Sequence, residues 1–186
     1  MTDLKQASNL LWIDLEMTGL NPDKDHILEI ASIVTDAHLN IIAEGPDLVI
    51  HQSTKILNHM DPWSQKQHEK SGLVDSIKAS KISLAEAERR TLEFVKQYCV
   101  AGDTTLCGNA VHHDRRFIIK YMPTLNEFLH YRLVDVSSIK VLVNRWYPPD
   151  KNKPQKGNAH RALMDIRESI DELRYYREHY FRPVEP

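Results

Sequence analysis

The sequence predicts an α/β protein built on one mixed five-stranded sheet flanked by helices. Three apolar runs of strand length come first, at Leu10–Leu15, Ile27–Thr35 and Asn40–His51. The period then lengthens to that of a helix, with Leu84, Ala87, Thr91, Val95 and Tyr98 on one face. Two more short apolar runs, Thr104–Cys107 and Leu133–Val136, alternate with helical patterns, which gives the order β-β-β-α-β-α-β-α-α.

Taken in order, Leu10–Leu15 reads as a buried strand. Asp36–Leu39 makes the turn between the second and third strands, so the first three form an antiparallel meander. Gly45-Pro46 interrupts the third, because proline has no N–H to give to a ladder. After Met60 the pattern turns helical. Ser83-Leu84-Ala85-Glu86 has the form of a capping box, and Gly102 stands beyond the end of that helix. A helix over Asp114–Tyr121 stops before Pro123. Ser137 is expected to cap a helix carrying Ile139, Leu142, Val143 and Trp146. Pro148–Asn158 reads as a polar loop with three lysines, and the Lys151–Lys156 stretch has no role readable from the sequence. The last helix is expected to start near Ala159 or His160, with Leu163, Ile166, Ile170, Leu173 and Tyr176 as its buried stripe. Arg167, Asp171, Arg174 and Glu178 form a charge ladder on its solvent face.

The 186 residues suit one domain over 1–186 with a sizeable core, and 41% hydrophobic with 27% charged residues reads as soluble and globular. No run spans a bilayer, since Leu10–Ile13 ends at Asp14, and the start lacks the pattern of a signal peptide; the expectation is a cytoplasmic protein with no membrane partner. Cys99 and Cys107 stand outside any CxxC pair and read as reduced thiols. A net charge of −2 leaves no basic stripe for a long nucleic acid, so the chain handles very short pieces or none.

The chemistry sits in carboxylates. Alternate residues of a strand share a face, so Asp14 and Glu16 point together while Leu15 packs on the other side. Two like charges there need a cation, a proton or open water. Either they form a site, or the strand emerges into solvent. Asp114 follows Gly108-Asn109 at the start of a helix, where it is a ligand or an N-cap. His160 and Asp165 are five residues apart, about 140° around a helix of ~3.6 residues per turn. They cannot form an adjacent pair on one face. If both serve one site, His160 swings in from the loop or first turn, as suits a general base, and Asp165 projects from the helix.

Asp-x-Glu on the first strand, a later Asp at a helix start and His-x4-Asp on the last helix are together the motifs of the DEDDh exonucleases. The resemblance covers nearly the whole chain. Asp14-Leu15-Glu16-Met17-Thr18-Gly19-Leu20, Cys107-Gly108-Asn109, Asp114-Arg115-Arg116-Phe117, Tyr121-Met122-Pro123, His130-Tyr131-Arg132, Asp135-Val136-Ser137, Asp165-Ile166-Arg167-Glu168-Ser169 and Tyr175-Tyr176-Arg177-Glu178-His179 are similar to the oligoribonuclease family. That family implies a ribonuclease H-like fold and a 3′→5′ exoribonuclease acting on very short RNA, down to dinucleotides, to give nucleoside 5′-monophosphates. It implies that Asp14, Glu16, Asp114 and Asp165 hold two divalent ions, Mg²⁺ or Mn²⁺, with His160 as general base.

The same resemblance suggests Leu20 as a wedge between bases and Trp63 as a stacking platform for the 3′ base; the plainer alternatives are a core leucine and a helix-capping tryptophan. It implies a homodimer in which Tyr131 and Arg132 of a partner subunit close the site on the 5′ end, with Arg132 and the hydroxyl of Ser137 or Ser138 binding the 5′ phosphate. An ordinary surface or interface arginine is the alternative for Arg132. Two positions depart from the family: Ala110 replaces a serine and His113 a glutamine; if those family side chains touch the phosphate, this chain must do so otherwise, with His112 or His113 as substitutes. Met164 stands where an acidic residue is common. The rival readings are a ribonuclease T-like trimmer or proofreading subunit acting on longer strands, and an inactive binding module on the same fold.

Overall fold

The computed structural model describes residues 4–150 and 161–182. The expected helix start near Ala159 or His160, the expected general base His160 and the Lys151–Lys156 loop all lie outside them. Among the described residues, strands β1 (Leu10–Met17), β2 (Ile27–Thr35), β3 (Ile41–Glu44), β4 (Leu48–Val49), β5 (Thr105–Gly108) and β6 (Leu133–Asp135) form one mixed sheet. The order is β3-β2-β1-β5-β6, with β4 also paired to β2. The first three strands are antiparallel, whereas β5 and β6 run parallel to β1 and to each other.

The expected third strand is split in two at Gly45-Pro46. Ile33 faces Glu44 and Ile30 faces Leu48, so three steps on β2 oppose four on its partner, and the extra residue is accommodated as a bulge. Glycine is required there because a Cβ on Gly45 would collide with Ser32 and with the ring of Phe94.

Each face of the sheet has its own apolar layer, and β1 feeds both by alternation. Leu11, Ile13 and Leu15 pack with α4 (Leu84–Tyr98), α5 (His112–Tyr121) and α6 (Pro123–Phe128). Trp12 faces the opposite layer with α7 (Val136–Trp146) and α8 (Ala162–Tyr180), and its indole N–H donates to Thr35 Oγ1 at 3.1 Å. A third cluster under the β2–β4 end holds α1 (Thr54–Leu57) and α3 (Leu73–Ala79) through Leu57, Leu73 and Ile77, with α2 (Pro62–Lys70) between them in the chain.

Several local expectations need correction. Ser83 Oγ accepts from Glu86 N, but Glu86 turns its carboxylate to Arg89 at 2.7 Å, so the box is made in one direction only. Pro123 starts a new helix rather than only ending one, since a missing N–H costs nothing in a first turn. Asp135, not Ser137, caps α7: its Oδ1 accepts from Ser137 N at 2.9 Å and from Ser137 Oγ at 2.6 Å. The spacing on α7 left open which side is covered: Leu142 and Trp146 are exposed, because α8 covers only the Val136, Ile139, Val143 side. The ladder on α8 does more than face water: Arg167 pairs with Glu44 and Arg174 donates to Leu39 O, tying the helix to the β2–β3 hairpin.

Candidate active site

The site forms where β1 outruns its parallel neighbour. Pairing with β5 ends at Trp12 opposite Cys107, so among the described residues the edge of β1 beyond it has no strand partner on that side. Leu15 N–H instead donates to Asp114 Oδ1 at 2.9 Å. Asp114 is therefore no N-cap; it sits in the first turn of α5, buried, with Val111 at the cap position. Alternation sends Asp14 and Glu16 to the α8 side, where Asp165 projects from that helix's first turn. Oxygens of Asp14, Glu16 and Asp165 all lie within 4.8 Å of one another, and all three residues are half-buried.

This arrangement resists ionisation. Burial, then the charges of Asp165, Glu29 and Asp114, push the Glu16 carboxyl up to about 8, against a smaller opposing pull from Arg161. Burial likewise pushes Asp114 up to about 7, partly offset by the Leu15 N–H. A group of hard oxygen donors that repel one another is relieved by a divalent cation, and the donor set fits Mg²⁺ or Mn²⁺ better than a soft metal.

A cleft of about 820 Å³ opens beside Glu16. Its walls include Leu20, which is 57% exposed and so not a core residue, and Trp63, which is 62% exposed. Asp61 places Trp63: its N–H donates to Thr18 O at 3.0 Å, and its carboxylate caps α2 through Trp63 N and Ser64 N. Trp63 is thus in the first turn of α2 and does not cap it. Arg116 lines the same cleft.

Tyr131, Arg132 and Ser137 do not line it. Tyr131 is 74% exposed, and the Arg132 guanidinium lies 5.4 Å from its ring centre. Ala110 adopts the left-handed backbone (φ 54°), held by its N–H to Asp135 Oδ1 at 2.9 Å. The rings of His112 and His113 lie 4.0 Å apart, tilted by 40°, with His112 Nδ1 3.6 Å from Asp135.

Sequence reasoning missed three residues near the carboxylates. Glu29 is completely buried opposite Glu16 in the β1–β2 ladder and binds Arg161. The available signal was one charge in an apolar strand, Ile-Leu-Glu-Ile-Ala. His68 is buried on α2, its Nε2–H donating to Met17 O at 2.9 Å and its Nδ1 3.7 Å from Glu16. Nothing in the sequence set it apart from the nine other histidines.

The family described as Exonuclease matches residues 11–173. The chain is 53% identical to an oligoribonuclease of Haemophilus influenzae over 94% of its own length and 96% of that protein's. It is 52% identical to an oligoribonuclease of Idiomarina loihiensis, over 97% and 99%. Among solved structures, a zinc-bound complex of E. coli exonuclease I with single-stranded DNA aligns with a TM-score of 0.67 at 17% identity. That alignment covers 94% of this chain and 41% of the larger one, and shows a shared fold.

Proposed function

Because this chain belongs to the oligoribonuclease family of exonucleases, we propose that it removes nucleoside 5′-monophosphates from the 3′ end of very short RNA, dinucleotides above all. The observation that carries the reading is the carboxylate cluster of Asp14, Glu16 and Asp165, whose member Glu16 lines a cleft walled by Leu20 and Trp63. Asp14, Glu16 and Asp165, with Asp114 beside them, would hold two divalent ions. Such ions, when bound, stabilise the charge on the attacking and leaving oxygens of an in-line displacement.

The remaining work falls to the chain's own residues. Asp114 braces the β1 edge beyond β5 through Leu15 N–H. Trp63 offers a face for stacking, which tolerates every base, and Leu20 separates neighbouring bases. His160 takes the proton of the attacking water. Tyr131, Arg132 and Ser137 reach the 5′ end from a second copy of the chain in a homodimer. The exposed apolar side of α7, with Leu142 and with Trp146 at 69% exposure, supports that assembly. Two buried free thiols fit the reducing cytoplasm as its location.

The experiment is turnover of a 5′-phosphorylated RNA dinucleotide with Mn²⁺ beside a heptanucleotide. Faster cleavage of the dinucleotide, lost on adding EDTA, is expected. Preference for the longer strand would move the chain to the trimming or proofreading exonucleases, and the roles of Trp63, Tyr131 and Arg132 would be abandoned.

A further inference from the structure

We infer that Glu29 and Arg161 form a positioning pair that registers the first turn of α8 against β1, so that Asp165 meets Asp14 and Glu16. Neither residue belongs to the carboxylate cluster. Glu29 is the third residue of β2 and has 0% exposure. A carboxylate taken fully out of water is unfavourable unless every lone pair is used. Here the partners all come from the start of α8. Arg161 Nη2 donates to Glu29 Oε1 at 2.6 Å and Arg161 Nε to the same oxygen at 2.9 Å. Ala162 N–H donates to Glu29 Oε2 at 3.0 Å.

That last bond is a helix cap delivered from another element. Arg161 occupies the N-cap position of α8 and makes no side-chain cap bond of its own. A first-turn N–H left without an acceptor would let the turn fray. Glu29 supplies both the acceptor and a negative charge at the positive end of the helix. The connection continues one turn on, since Asp165 N–H donates to Arg161 O at 3.0 Å. On the other side, Glu29 is the direct partner of Glu16 across the β1–β2 ladder. One buried carboxylate therefore joins the rung that carries Glu16 to the turn that carries Asp165. The two elements are otherwise far apart in the chain, and a small slip of α8 would pull Asp165 out of the cluster.

This inference rests on the reading that the cluster holds divalent ions. The test uses the full chain, with Mn²⁺ alone as the probe, in four forms: wild type, Arg161→Lys, Glu29→Gln, and the double Glu29→Met with Arg161→Met. The double replaces the buried pair by apolar groups, a change that folds often tolerate. Calorimetric titration gives Mn²⁺ affinity, and amide hydrogen exchange of the metal-free protein gives local order. A positioning role predicts affinity lower by ~10–100-fold in the double, as for residues that orient metal ligands, with Arg161→Lys intermediate. Exchange should quicken at residues 162–165 while β1 and β2 stay protected. Wild-type affinity and exchange in the folded double would overturn the inference, as would exchange that quickens equally throughout the molecule. If wild type itself shows no Mn²⁺ binding that Asp14→Asn removes, the metal reading fails first, and that result is distinct from a failure of the pair.

Discussion

At the scale of single residues, Glu16 makes a prediction with a definite sign. Its carboxyl holds its proton to about pH 8 in the folded, metal-free chain, against an ordinary value of 4.5. The folded state therefore binds the proton more tightly than the unfolded chain does. Metal-free stability should be highest below about pH 4.5 on this account and fall as pH rises to about 8, and Asp114 adds a loss of the same sign up to about 7. Thermal unfolding in EDTA at several pH values checks this, and added Mn²⁺ should raise the Tm more at pH 8 than at pH 5. A Tm that climbs steadily over that range in EDTA would contradict it. Trp63→Ala removes the cleft's exposed ring; with stacking worth ~1–3 kcal/mol per base, KM for a dinucleotide should rise about tenfold or more while Mn²⁺ affinity holds. His160→Ala should lower kcat by ~10²–10⁴-fold and leave Mn²⁺ affinity nearly unchanged. A variant that turns over at the wild-type rate would remove His160 from the proton transfer.

At the scale of elements, two features carry consequences. The bulge between β3 and β4 depends on Gly45, whose missing side chain lets the strand lie against Ser32 and Phe94. Gly45→Ala should lower stability by ~1–3 kcal/mol in urea denaturation, the usual effect of forcing atoms into a filled space. Helix α7 presents Val141, Leu142 and Trp146 to solvent. Helical spacing marked Leu142 and Trp146 as apolar but could not say what covers them, and within the chain α8 covers the neighbouring side instead. Leu142→Glu with Trp146→Ala should shift the protein toward a monomer in light scattering and reduce dinucleotide turnover. A monomeric wild type would remove the partner's Tyr131 and Arg132 from the site.

At the scale of the whole molecule, strand alternation, helical period and turn chemistry are short-range properties, and they were legible. The pairing of Asp14 with Glu16 on one face, the break at Gly45-Pro46 and the stripe of α8 all follow from residues within a few positions of one another. The exonuclease family, too, was written in the motifs. What only the tertiary structure decided depends on elements distant in sequence. The early end of β5 leaves Leu15 N–H to Asp114, which converts an apparent N-cap into a brace for β1. The crossing of α8 over β1 and β2 brings Asp165 to Asp14 and Glu16 and gives buried Glu29 its partner in Arg161. A lone charge in an apolar strand has no meaning until its partner is known, because what makes its burial tolerable is a contact more than a hundred residues away in the chain.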